Sequence, residues 1–373
     1  MKILLVHDIK PESLNGVSVS VNTLAMYFKK LGHDVRFLTL NESVRTKNED
    51  DVAYRIGSIP TGIYPGIRWT LKHRGRAFRE IVEWNPDVIH TNCEFSTYYM
   101  INRIINKCKT RPKWIHTFHT DYRYYVGPLT KVKPFTNNLI PKYLRFSFSR
   151  PDKIIVPSYK TKKFLLDSKI VSDQKDVNVI PCGINISLND VDDDKVISLK
   201  HRLCLQNKKV IIFLGRLSTE KNIDELLEYF SVFSKKHDEY RLLICGLGPA
   251  LNHLKIKACA LKISDKVIFC VNIPHMEVPN YLRLADVFAS SSMSETQGMT
   301  YYEALLCGIP VIATDRVCLE GVVIEGKNGC FYNDVNSFEQ AVLESVNLKS
   351  DNSLLKFSCT GKDFAQRVYC LYK

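Results

Sequence analysis

Short, nearly unbroken apolar runs alternate along this chain with longer stretches whose apolar residues return every three or four positions. In the first half the runs are KILLVHD (2–8), DVRFLTL (34–40), VIHTN (88–92), WIHTFHT (114–120) and KIIVPS (153–158). In the second they are KVIIFLGR (209–216), RLLICGLG (241–248), KVIFCV (266–271), DVFASS (286–291) and PVIATD (310–315). Runs of this length read as strands buried on both faces, the habit of parallel sheets. Between the first two, Val21, Leu24, Ala25, Phe28 and Leu31 recur at helical spacing up to Gly32, a natural helix stop. NIDELLEYFSVFSKKH (222–237) is a second such helix. Proline, glycine and acidic residues cluster over 177–195, which marks a seam. The pattern predicts an α/β protein of two doubly wound, Rossmann-like domains facing across a cleft, residues 1–178 and 179–359. Ligands of such sheets bind beyond the carboxyl ends of strands.

Charge changes this picture in one half only. The net charge is +13. Residues 1–180 hold 30 Lys and Arg against 16 Asp and Glu, whereas 181–373 hold 22 against 23. Within the first half, residues 68–150 carry 16 positive and 5 negative side chains. An anionic partner for that half alone follows, a membrane surface or nucleic acid, unless the charge only solubilises. No aromatic-basic motif or zinc spacing supports nucleic acid. Twelve scattered cysteines without Cys-x-x-Cys pairs, and no signal core at the start, lead to the expectation of reduced thiols in a cytosol. No apolar window is long enough to cross a membrane.

The stretch SETQGMTYYEALLCGIPVIATD (294–315) holds the densest chemistry. A loop after a strand opens a helix at Gly298, so the amides of Gly298, Met299 and Thr300 stand unpaired at a positive dipole end. Gly298 lets a ligand approach the backbone, and Glu295 and Glu303 can accept hydrogen bonds from hydroxyls on either side. A phosphate flanked by two polyols, a nucleotide-sugar, fits that arrangement. For the two glutamates alone, a surface loop with a capping carboxylate and a solvated helix glutamate is the preferred reading. Arg216, at a strand end, and Lys221, five residues on, could face a diphosphate or make ordinary surface pairs. His116 and His119, three apart, face opposite ways on a strand and are poorly placed to share a metal. NDVDDDK (189–195) contains Asp-x-Asp but reads as a solvated loop, and CGLGP is a glycine turn rather than a dinucleotide fingerprint.

The Glu-x7-Glu of 294–315, together with NGVSVSV, HTFHTD, IIVPS, VIPCGIN, FLGRLSTEKNIDELL, CGLGP and ADVFASSSMSETQG in that order, resembles the retaining GT-B glycosyltransferases of family 4 over nearly the whole chain. The resemblance implies the GT-B fold, with a C-terminal tail, about 360–373, packed back on the first domain. It implies catalytic roles for His119, Glu295, Arg216 and Lys221. Glu295 would bind donor-sugar hydroxyls, Glu303 the nucleotide ribose, and the Arg216–Lys221 pair the diphosphate. Gly16, Gln297, Gly298, Met299 and Thr300 would complete the donor site, with domain closure bringing His119 and Gly16 to the sugar. It implies no cofactor and no metal, since cations and helix amides replace one.

Within the family, SETQG followed by TYYEA, and HTFHTDYRYYVGPL, resemble the bacterial α-monoglucosyldiacylglycerol synthases, which dock on the cytoplasmic leaflet. That likeness implies UDP-glucose as donor, a membrane lipid acceptor such as 1,2-diacylglycerol, and a cytoplasmic enzyme peripheral on the inner face of the membrane. Two segments agree with it, 67–82 and 131–150, where aromatics interleave with cations. They nominate Arg68, Trp69, Lys72, Arg74, Arg76, Arg79, Lys142 and Arg145 as membrane or acceptor contacts. Alternatives are a polyprenyl-linked or surface polysaccharide acceptor, and a non-catalytic membrane- or polyanion-binding protein on the same scaffold. The chain departs from these relatives at Asn92, where they have histidine, and at Cys270–Asn272, near the expected base.

Overall fold

A computed structural model describes residues 1–8, 16–41, 47–50, 53–60, 68–70, 75–94, 96–121, 133–186, 188–348 and 360–373; the side chains of 41, 47–50 and 133–140 are not described. It resolves into two compact units, Met1–Gly183 with Cys359–Lys373, and Ile184–Ser358.

The N-terminal unit is built on strands β1 (Lys2–Val6), β2 (Asp34–Asn41), β3 (Lys47–Asp50), β4 (Ala53–Gly57), a small hairpin of β5 (Ile59–Pro60) and β6 (Arg68–Trp69), then β7 (Val88–Thr91), β8 (Lys113–Thr117), β9 (Lys153–Val156) and β10 (Val177–Val179). Its main sheet runs β10-β9-β8-β7-β1-β2-β4-β3, parallel throughout except for the antiparallel edge strand β3. In β1, Ile3 to Val6 are fully buried because helices cover both faces, which is why the run carries no polar alternation. One face packs Leu4, Val6, Leu38, Ile56, Ile89 and Trp114 against Ile81 and Trp84 of the helix Arg76–Trp84, and against Tyr98, Ile101 and Ile104 of Ser96–Ile105. The C-terminal helix, Gly361–Tyr372, returns to this unit. Its start is capped by Thr360, whose hydroxyl accepts from the Asp363 amide at 3.2 Å, and Tyr372 lies 5.2 Å from the Phe28 ring. Gly183 permits that packing, since a Cβ there would come within 2.6 Å of Gly361 Cα.

The C-terminal unit contains β11 (Lys209–Leu214), β12 (Tyr240–Cys245), β13 (Val267–Cys270), β14 (Val287–Ser290), β15 (Val311–Ala313) and β16 (Gly329–Phe331). All are parallel, in the order β13-β12-β11-β14-β15-β16. The chain winds outward from β11 in one direction and then from β14 in the other. That reversal makes the gap between the ends of β11 and β14 the switch point where such sheets hold ligands.

The sequence pattern located the long parallel strands and left out β3 to β6, β10 and β16. The basic segment 67–82 is not one amphipathic helix. Its first described residues, Arg68 and Trp69, pair with Pro60 and Ile59 in the hairpin, and the helix starts at Arg76.

Candidate functional site

The loops that follow β11 and β14 are joined at the switch point. Lys221 Nζ donates to Glu295 Oε1 at 2.7 Å, with 16% and 15% of the two side chains exposed. Ser294 Oγ donates to the Glu220 carbonyl at 2.9 Å, and Ser218 Oγ to the Glu220 carboxylate at 2.6 Å. Half-buried charges at such a mouth are screened less than surface pairs and keep their field for a ligand. Arg216 stands in the same loop, two residues past the end of β11 and partly buried.

Glycines allow these loops to nest. Gly246 has φ 145°, and a Cβ on it would fall 1.8 Å from the Gly215 carbonyl oxygen; one on Gly248 would fall 2.2 Å from that of Leu217. The CGLGP turn therefore serves as the bed on which the 215–222 loop lies, held by Gly215 N to Cys245 O and Leu217 N to Leu247 O. Asp-x-Asp likewise proves structural: Asp192 caps the helix Asp193–Arg202 by accepting from Lys195 N at 3.2 Å.

Gly298 precedes the helix Met299–Leu306 with φ 74°, ψ 57°, and a Cβ there would strike the Tyr301 ring. Among the described residues no acceptor meets the amides of Gly298, Met299 or Thr300, so this helix start leaves three N–H dipoles without a partner. Gln297 is buried beside it, while Met299 and Thr300 are half-buried. Glu303, one turn in, is buried, and burial alone pushes its carboxyl up to about 7. The structure thus brings Lys221, Glu295, Gln297, Gly298, Met299 and Thr300 to the two switch-point loops, with Glu303 on the helix they open.

In the N-terminal unit the candidate His119 lies just past β8. Asn92 spends its amide nitrogen on the carbonyls of Val6 (3.4 Å) and His90 (3.3 Å), so its Oδ1, 3.0 Å from His119 Nε2, is an acceptor and that nitrogen carries the proton. Cys182 Sγ approaches Nδ1 at 3.9 Å. Burial, then the neighbouring His116 and His7, hold His119 down to about 3, so it is a neutral imidazole. His116 belongs to the core: its Nε2 meets Glu94 Oε1 and its Nδ1 meets Thr91 Oγ1, both at 2.9 Å. His90 is buried between the Tyr372 hydroxyl and Thr117, each at 2.6 Å. Asn92, seen in the sequence only as a departure from relatives, is the residue that sets the His119 tautomer. Gly16 is the exposed first residue of the helix Gly16–Lys30.

The membrane candidates scatter. Arg68 binds Ser58 through two nitrogens, at 2.9 and 2.8 Å, and so fastens the hairpin. Arg76 pairs with Glu80, and Arg145 donates to the Lys169 carbonyl at 2.8 Å. Trp69, Arg79 and Lys142 are exposed. Lys72 and Arg74 lie outside the described residues. On the helix Lys133–Phe148 the described aromatic side chains do not form an outward face: Phe148 is buried, Tyr143 donates its hydroxyl to the Glu94 carbonyl, and Phe146 alone of these three stays exposed. No helix among the described residues is long and apolar enough to cross a membrane.

Two parallel sheets, the second in dinucleotide-fold order, with such loops at the switch point, are the architecture of GT-B glycosyltransferases. Residues 14–188 match the model of Glycosyltransferase Family 4, and residues 199–356 that of Glycosyl transferases group 1. The chain is 31% identical to the α-monoglucosyldiacylglycerol synthase of Streptococcus pneumoniae, over 100% of this chain and 85% of that protein. It is 28% identical to the Acholeplasma laidlawii protein of the same name, over 95% and 91%. HepE of Anabaena, solved with UDP and glucose, has the same fold, with a TM-score of 0.75 at 15% identity over 100% of this chain and 99% of that one. The chain belongs to the family 4 glycosyltransferases of GT-B fold.

Proposed function

We propose that the protein transfers glucose from UDP-glucose to 1,2-diacylglycerol with retention at the anomeric carbon. The observation that carries this reading is the Lys221–Glu295 pair, which ties the two switch-point loops beside a helix start whose amides have no side-chain cap. In this reading the diphosphate lies on those amides, Arg216 and Lys221, the ribose hydroxyls donate to Glu303, and the sugar hydroxyls to Glu295. Binding of the diphosphate draws Lys221 toward phosphate and frees Glu295 for the sugar. The charge that develops as UDP departs meets preorganised donors, the arrangement that most lowers such barriers. The acceptor hydroxyl attacks on the leaving-group face: the C1–O bond to phosphate breaks, the C1–O bond to the acceptor forms, and the departing phosphate takes the hydroxyl proton. Contacts to sugar and phosphate by His119 and Gly16 are carried over from the family as part of the proposal. No cofactor or metal is invoked.

The names of the two synthases that span the chain favour a lipid acceptor. Exposed Trp69, Arg79 and Lys142 on the basic unit favour a peripheral site on an anionic inner leaflet, each cation contributing about 1 kcal/mol near the surface. The test offers labelled UDP-glucose, and UDP- and GDP-linked competitors, to the protein with anionic vesicles containing diacylglycerol. A labelled α-glucosyldiacylglycerol that disappears in Glu295→Ala is expected. Label that reaches only a polyprenyl-linked acceptor, or none, overturns it.

A further inference from the structure

A second feature lies on the N-terminal unit, on helices that contribute nothing to the donor loops. A cavity of about 470 Å³ is lined by Gly75, Phe78, Arg79, Arg103 and Lys107. Its volume falls within the roughly 300–1,000 Å³ of small-molecule sites, but its charged lining is of one sign only. Arg79 comes from the helix Arg76–Trp84, Arg103 from Ser96–Ile105, and Lys107 from the turn that ends the latter, where its amide meets the Ile104 carbonyl at 2.9 Å. The nearest carboxylate in sequence, Glu80, is engaged by Arg76. Among the described residues the side chains of Arg79, Arg103 and Lys107 make no hydrogen bond, ion pair or ring contact. Three like charges around one cavity repel each other, and an anion between them turns that repulsion into attraction. Guanidinium groups meet phosphate oxygens through paired N–H donors, which an ammonium supplements as a point charge. Phe78, partly buried against the core, offers an apolar wall for the carbon part of such a ligand.

We propose that this cavity binds a phosphate ester, its phosphoryl oxygens held by Arg79, Arg103 and Lys107 and its carbon chain laid on Phe78. The site does not depend on the transfer reaction, and the ester could belong to a lipid headgroup or to a free metabolite. The test uses the full chain saturated with UDP, so that any diphosphate site is filled. It is titrated with sn-glycerol 3-phosphate and, separately, with phosphatidylglycerol vesicles against phosphatidylcholine vesicles at fixed ionic strength. Saturable binding of at least one is expected, weakened at least tenfold in R103Q/K107Q and unchanged in the charge-matched pair K163Q/K235Q. Binding of glycerol phosphate identifies a free ester as sufficient, and binding of vesicles alone identifies the bilayer headgroup; either supports the site. Equal loss in both pairs, no loss in R103Q/K107Q, or no saturable binding of either probe overturns it. Circular dichroism checks the variants, and Arg79→Gln alone replaces the double variant if that pair fails to fold. Failure of the wild type to bind UDP would sink the donor reading and leave the cavity titration readable.

Discussion

The two units share a topology and use it for opposite kinds of polar chemistry. At the strand ends of the C-terminal unit polar groups are charged and partly buried: Lys221 on Glu295, Arg216 nearby, and a helix start with uncapped amides. In the N-terminal unit the two histidines His90 and His119 are neutral, the first buried and the second half-buried. His90 and His119 are both held down to about 3, chiefly by burial, and each is fixed by hydrogen bonds to Tyr372, Thr117, Asn92 or Cys182. One arrangement suits the stabilisation of charge that appears during a reaction. The other suits fixed, directional hydrogen bonding that does not change with physiological pH. Variants should therefore separate the units: charge removal in the second should cost turnover, and hydrogen-bond removal in the first should cost stability.

The largest effect is expected from Arg216→Ala, a loss of transition-state stabilisation of about 2–4 kcal/mol, as for deleting one oxyanion donor. Steady-state kcat and KM with the preferred nucleotide-sugar measure it; near-normal kcat would remove Arg216 from the diphosphate site. Next comes Gly246→Ala. With φ 145° and the Gly215 carbonyl in the way, it should destabilise the C-terminal unit by about 1–3 kcal/mol and lower nucleotide affinity with it. Unchanged denaturant midpoints would show that the 215–222 loop does not rest on that turn. In the N-terminal unit, Glu94→Ala leaves the buried His116 Nε2 unpaired and should cost about 1–3 kcal/mol of stability, with little change in nucleotide binding. Loss of UDP affinity without loss of stability would contradict the division between the units.

What the sequence disclosed and what it hid follow the same division. Parallel strands such as Ile3–Val6 and Val210–Leu214 are buried on both faces, so their apolar runs are plain to read. β4, with its half-buried Arg55, and β16, three residues long, carry too few apolar positions to stand out. In the site, Gly298, Glu295 and Glu303 are local in sequence and were legible as a loop and helix start. The bond from Lys221 to Glu295 spans 74 positions, and no spacing rule reaches that far. The Asn92–His119–Cys182 chain is hidden for the same reason. The aromatics of 131–150 misled because interleaving with cations does not say which face turns inward; Phe148 and Tyr143 went to the core side.

A smaller effect tests the buried glutamate. Glu303 sits near 7 in the folded chain against about 4.3 when unfolded, so the folded state keeps its proton longer. Between those values the unfolded chain releases the proton first, and stability falls as pH rises through the window. Glu303→Gln should flatten that fall. Binding runs the other way in the proposed donor site, where ribose hydroxyls would donate to the ionised carboxylate. From pH 6 to 8 the ionised fraction climbs from about one-tenth to nine-tenths, so UDP affinity should rise up to roughly ninefold, about 1.3 kcal/mol. Calorimetric titration at both values reads it, and an equal rise in Glu303→Gln would assign the dependence to the phosphate instead.

The smallest effect returns to the basic unit and to the cations that burial and pairing have not already claimed. Lys142 is exposed, whereas Arg68 is locked onto Ser58. Lys142→Gln should weaken sedimentation with phosphatidylglycerol vesicles by about 1 kcal/mol, the contribution of one cation near an anionic surface. Arg68→Gln removes the same formal charge but also both hydrogen bonds that fasten the β5–β6 hairpin, so its loss should appear in thermal stability as well. Measured at two salt concentrations, the Lys142 effect should shrink with screening and the stability part of the Arg68 effect should persist. If both variants lose vesicle binding equally and neither loses stability, the hairpin is not what Arg68 holds, and total charge rather than position governs how this unit meets a membrane.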